Sequence, residues 1–137
     1  MTPHSRLWKD VDEDMIVGIG IDIVEIPRFE ATIARQPGMV DRLFTAREQI
    51  TDEGHARTPT SLAARFAAKE AVAKALGAPQ GMQWHHCEVV GDSSGRPYLH
   101  LSGTVQEQAS AQGVTTWHLS LSHDGDLAVA YVIAEAH

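Results

Sequence analysis

No internal disulfide can form in this chain, because its 137 residues include one cysteine, Cys87. Stability must then come from a packed core, and the cytoplasm is the expected compartment. No apolar run approaches the ~20 residues of a membrane helix; the longest, Leu127 to Ala134, falls far short. Met1 to Asp14 is polar and charged, without the apolar stretch of a signal peptide. Basic residues are few as well: 11 Lys and Arg stand against 18 Asp and Glu, for a net charge of −7. That balance, with no basic run interleaved with aromatics, argues against nucleic acid as a partner. Repeats and low-complexity segments are missing too.

Apolar residues make up 43% of the chain, enough for one domain with a real core. A lone chain of this size buries less of its surface than a larger one, so self-association would help. The charge is uneven. Residues 54–87 set Arg57, Arg65, Lys69 and Lys74 against Glu70 alone, whereas residues 88–137 set Arg96 against six acids. The central segment is the expected seat of an anionic ligand.

Residues 1–14 are expected to be an extension ahead of a domain spanning 15–137. Ile16 to Ile23 reads as a buried strand with Val17, Ile19, Ile21 and Ile23 on one face. Gly18, Gly20 and Asp22 share the other face, where backbone or ligand can approach closely. Pro27 suits the first turn of a helix running to about Gln36, with Arg28 and Arg35 on one side of it. Thr45 and Glu48 have capping-box spacing. A long helix follows, with Pro59 in its first turn and Gly77 as its cap. Leu62, Phe66, Ala73 and Leu76 form its apolar stripe; Lys69 falls inside that stripe, and Glu70 and Lys74 lie on its shoulder, about 40° apart. The C-terminal half reads as hairpins. Strands are expected over 83–90, 96–101, 117–122 and 127–133, with turns at Asp92–Gly95 and Asp124-Gly125 and a short helix over 103–112. Helices first and hairpins after give an α+β class: a single small domain with a long helix packed on an antiparallel sheet.

A carboxylate at a strand end (Asp22), one on a helix (Glu70) and a lysine a turn further on (Lys74) suit a magnesium–phosphate site. On spacing alone, a solvated i,i+4 pair worth ~0.3–0.5 kcal/mol is the stronger account of Glu70 and Lys74. Other motifs fall away. Ser122-His123-Asp124 cannot form a relay, because strand neighbours point to opposite faces; His123 is nevertheless placed to touch a phosphate or base. His85-His86-Cys87 lacks the pair spacing of a zinc site. Gly18-Ile19-Gly20 lacks the third glycine and following helix of a dinucleotide fingerprint, and there is no Walker A sequence.

Three separated stretches converge on one family. Gly20-Ile21-Asp22-Ile23-Val24-Glu25-Ile26-Pro27-Arg28-Phe29, then Arg65-Phe66-Ala67-Ala68-Lys69-Glu70-Ala71 continuing through Lys74-Ala75-Leu76-Gly77, then Gly95-Arg96-Pro97 with Ser120-Leu121-Ser122-His123-Asp124, follow in order. In them the chain resembles the holo-acyl-carrier-protein synthases, the short 4′-phosphopantetheinyl transferases, over about residues 15–134.

The resemblance implies transfer of the phosphopantetheine arm of coenzyme A to a serine of an apo acyl carrier protein, releasing adenosine 3′,5′-bisphosphate. It implies Mg²⁺ held by Asp22 and Glu70, and Lys74 meeting the departing phosphate. It implies coenzyme A contacts from Arg65, Lys69, Gly95, Arg96, Pro97 and His123, the role of Lys69 being the least defined. The serine proton is left to Glu70 or to a water. It further implies a homotrimer with active sites between subunits. Carrier proteins are acidic, so Arg28 and Arg35 are the candidate docking residues, with Arg42 and Arg47 beside them. Two other readings use the same residues: a metal-dependent hydrolase of nucleotide pyrophosphates, and a noncatalytic domain that binds coenzyme A or a carrier.

Overall fold

Two glycines decide how the sheet and the long helix meet. Strand β1, Met15–Glu25, carries Gly18 and Gly20 on the face turned to helix α3, Pro59–Ala75. A Cβ built on Gly18 would lie 1.9 Å from the Ala75 carbonyl oxygen, and one on Gly20 1.8 Å from that of Ala71. Backbone therefore packs on backbone, which a side chain at either position would prevent.

The computed structural model describes residues 14–137. The extension expected over residues 1–14 lies, Asp14 apart, outside the described residues. After β1 come helices α1 (Ile26–Arg35) and α2 (Met39–Leu43) and a 3-10 turn (Ala46–Gln49). Then follow α3, a second 3-10 turn (Trp84–His86), and strands β2 (Cys87–Gly91) and β3 (Pro97–Leu101). Helix α4 (Gly103–Ala111) and strands β4 (Thr116–Asp124) and β5 (Leu127–Ala136) close the chain. The fold is α+β. One antiparallel sheet has the order β1-β5-β4, and β2 pairs with β3 in a separate antiparallel ladder. Helix α3 packs on the three-stranded sheet, and α1 and β2 flank it.

Small residues line the helix–sheet contact. Ala128, Ala130, Val132 and Ala134 of β5 are buried against Ala67, Ala68, Ala71, Val72 and Ala75 of α3. A second cluster joins Ile26 and Phe29 of α1 to Leu43, Phe44 and Leu62. Phe66 bridges the helices, 5.6 Å from the Phe29 ring and 5.6 Å from the Trp84 ring.

Three expectations are corrected. The isoleucine face of β1 is not buried: Ile19, Ile21 and Ile23 are 51%, 48% and 59% exposed, because the glycine lane is the side the helix needs. They pair across the ladder with Ile133, Tyr131 and Val129 of β5. The stripe on α3 is really burial nearly all round, since sheet, α1 and β2 cover most of the helix, while Phe66 and Ala73 stay half-buried. The strand expected from Gln83 starts at Cys87, so His85 and His86 sit in a 3-10 turn. Helix α2, which follows Gly38 at φ 94°, was not anticipated. The capping box is present: Thr45 N–H donates to Glu48 Oε1 at 3.0 Å, and Glu48 N–H to Thr45 Oγ1 at 3.4 Å.

Candidate functional site

Lys74 reaches back from the last turn of α3 to β1, 52 residues earlier. Its ammonium donates to Asp22 Oδ1 at 2.8 Å and to the Ile21 carbonyl at 3.0 Å. Glu70, one helical turn before Lys74, is half-buried. Burial, then the Asp22 charge, push its carboxyl above the usual carboxylate range, and Lys74 only partly offsets them. The charge of Asp22 thus reaches Glu70, so the three groups form one cluster. Two carboxylates that repel each other fit a divalent cation. Among the described residues no group of three or more His, Cys, Asp or Glu is arranged to hold a metal. Two carboxylates of this kind could be completed around a hard divalent cation only by substrate oxygens and water.

A cleft near the start of α3 gathers Arg65, Gly95, Pro97 and His123 with Thr58 and Ser61. Arg65 donates to Ser61 Oγ at 3.0 Å, while its buried Nε has no partner. Burial, then the neighbouring Arg57 charge, lower its pKa to about 10. Arg57 also donates to Ser61 Oγ, at 3.3 Å, and its Nε donates to the Glu48 carbonyl at 2.9 Å. Two guanidiniums on one hydroxyl, one with an unused donor, make an anion-seeking site.

The other expected residues are dispersed. Arg96 lines a neighbouring cleft with Asp92, Tyr98 and His118, and Pro97 borders both. Lys69 lies in the core, 3% exposed, bonded to Glu48. Arg28 shares a cleft with Asp22, Phe29, Met39 and Phe66, while Arg35 is exposed at the far end of α1. An apolar cavity lies along the other side of α3, between Val72, Ala73, Pro79, Met82, Trp84 and Val105. Cys87 is no nucleophile: burial pushes its thiol up to about 12. Sequence reasoning missed Arg57 and Glu48. The excess of cations in residues 54–87 pointed toward Arg57, and a lysine inside an apolar stripe called for a buried acid.

The chain belongs to the 4′-phosphopantetheinyl transferase superfamily, whose family model matches residues 18–132. Its relatives there are holo-[acyl-carrier-protein] synthases. That of Salinispora arenicola is 60% identical over 121 residues, covering 88% of this chain and 99% of its own. The holo-[acyl-carrier-protein] synthase structure from Neisseria meningitidis superposes with a TM-score of 0.79 at 31% identity, covering 88% of this chain and 99% of its own. A coenzyme A complex from Chronobacterium ammoniagenes gives 0.75 at 30%, covering 88% and 97%. No helix among the described residues is long and apolar enough to cross a membrane.

Proposed function

We propose that the chain transfers the 4′-phosphopantetheine moiety of coenzyme A to a serine hydroxyl of apo-acyl carrier protein, releasing adenosine 3′,5′-bisphosphate. The observation that carries this is the convergence of Asp22 of β1 with Glu70 and Lys74 of α3. Asp22 and Glu70 are the residues to hold Mg²⁺, which when bound neutralises diphosphate charge and favours in-line displacement. The chain's own groups do the rest. Arg65, with its unused Nε, and His123 bind the phosphorylated nucleotide in the cleft they share with Gly95 and Pro97. Arg96 borders that cleft from the next one. Lys74 neutralises the phosphate that leaves with adenosine. The serine proton passes to Glu70 or to a water as the oxygen attacks the β-phosphorus and the bond to the adenosine-bearing phosphate breaks.

Incubation with coenzyme A, Mg²⁺ and an apo carrier, followed by intact-mass measurement of the carrier, tests the reading. Gain of one phosphopantetheine supports it. Cleaved coenzyme A with unmodified carrier turns the assignment to a hydrolase, and an intact mixture to a binding domain.

Arg28 opens on the cleft that holds Asp22, which supports docking of an acidic carrier along α1, with Arg35 extending the basic face. Arg28→Glu is expected to raise the KM for carrier about tenfold while changing that for coenzyme A less than about twofold. Equal effects on both substrates would remove Arg28 from the docking face.

The reading includes a homotrimer with sites between subunits, working in the cytoplasm. Its support is the outer sheet face, where Ile19, Ile21, Ile23, Leu127 and Tyr131 are all more than 40% exposed. Tyr131→Asp should yield a monomer by light scattering and lose most transfer activity. A monomeric wild type of full activity would refute this part.

A further inference from the structure

Lys69 and Glu48 form an ion pair at 2.8 Å in which both side chains are out of reach of water, 1% and 0% exposed. All three ammonium hydrogens are used: Lys69 donates to Glu48 Oε1, to the Trp84 carbonyl at 3.0 Å and to the Cys87 carbonyl. Glu48 is equally engaged. Oε1 also accepts the Thr45 N–H at 3.0 Å, and Oε2 accepts the Val89 N–H at 2.9 Å. The pair thus ties both 3-10 turns and the start of β2 to one point on α3, the residue directly before Glu70. Lys69 also borders the apolar cavity beside Ala73, but its three ammonium hydrogens are already taken by protein acceptors.

At 100° per residue, the angular order around α3 is informative. Taking Lys69 as zero, Glu70 lies near 100°, Lys74 near 140°, and Ala71 and Ala75 near 200° and 240°. The last two are the residues whose carbonyl oxygens meet Gly20 and Gly18. Glu70 and Lys74 therefore leave the helix between two fixed contacts: the glycine lane on one side and the Lys69 anchor on the other. Both contacts oppose rolling of the helix. Glu48 extends the tie, since its carbonyl holds Arg57, which shares the Ser61 hydroxyl with Arg65.

We infer that Lys69 is a positioning residue, not a coenzyme A ligand: with Glu48 it sets the roll of α3 that aims Glu70 and Lys74 at Asp22. The inference rests on the transferase reading for its kinetic consequence, not for its geometry. A buried pair of this kind contributes little net stability against an apolar replacement, which leaves orientation as its use.

The test compares Lys69→Met with Val89→Ala, a cavity variant that weakens the same region but keeps the backbone N–H that Glu48 accepts. Assays run below the melting temperature of both. Lys69→Met is expected to lower kcat about 20-fold or more, as a small misplacement of reacting groups does. It should raise the half-saturating Mg²⁺ concentration about tenfold or more, as loss of a supporting contact does at metal sites. The KM for coenzyme A should stay within about threefold, and Val89→Ala should move neither kcat nor metal affinity beyond that range. A Lys69→Met variant that behaves as Val89→Ala overturns the proposal. So does one whose KM for coenzyme A rises at unchanged kcat, which would make Lys69 a ligand contact. Mn²⁺ affinity measured by electron paramagnetic resonance gives a readout free of turnover. Should the wild type transfer nothing, that affinity must still fall about tenfold in Lys69→Met for the inference to stand. Glu48→Gln, which removes the countercharge and keeps the side chain's shape, carries the same expectations if Lys69→Met does not fold.

Discussion

Glu70→Gln is expected to reduce phosphopantetheine transfer about 10³-fold or more, since a catalytic ion supplies several kcal/mol and each 1.36 kcal/mol is tenfold. The substitution keeps the side chain's shape and removes its charge. Its diagnostic value lies in opposite effects on activity and stability. In the folded protein without metal, burial and Asp22 raise the Glu70 carboxyl pKa above its unfolded value. A group raised in this way contributes stability below its unfolded pKa, and that contribution is lost as pH rises through the folded pKa. Glu70→Gln should therefore melt above the wild type at pH 7 in chelator, with the gap closing toward pH 4. Mg²⁺ should raise the melting temperature of the wild type and leave the variant nearly unchanged. A variant that melts lower at pH 7 and still responds to Mg²⁺ would place the metal elsewhere.

Gly20→Ala is expected to cost more than about 4 kcal/mol, a range reached only by severe clashes and a few other mechanisms. The new methyl would sit 1.8 Å from the Ala71 oxygen and 2.7 Å from its carbonyl carbon. Ordinary overpacking costs about 1–3 kcal/mol because side chains shift aside. Here the obstacle is helix backbone, so β1 and α3 must separate and carry Asp22 away from Glu70 and Lys74. The expected result is insoluble protein, or a melting temperature lower by about 15 °C or more with no transfer activity. Gly91→Ala is the matched control, because its nearest neighbour would be 4.0 Å away. If Gly20→Ala melts like Gly91→Ala, the helix is held off the strand by something other than the glycine lane.

Spacing alone favoured a solvated Glu70–Lys74 pair over a shared site with Asp22; the motif resemblance joined the three, and the fold pairs Lys74 with Asp22. Arg65, Gly95, Pro97 and His123 were legible as motif positions, and the fold gathers them in one cleft. Glu48 was hidden by its own plausibility. A capping glutamate ordinarily sits at the surface, so the Thr45–Glu48 spacing explained the residue before its second job, holding Lys69, came into view. The orientation of β1 was hidden for a related reason. Hydrophobicity points isoleucines inward, but helix α3 needs closeness more than greasiness, and only glycine and alanine allow it. The 3-10 turn at Trp84–His86 depends on carbonyls turned toward Lys69, a tertiary cause that local periodicity does not record.

Strands β1 and β5 turn glycine, alanine and Val132 toward the helix and leave Ile19, Ile21, Ile23, Leu127 and Tyr131 on the exposed face. A newly made chain can finish its interior unaided, since the small residues need nothing from outside. Under the proposed trimer, abundance would become a thermodynamic variable: dilution would weaken the fold and concentration strengthen it, with every contact inside the subunit unchanged.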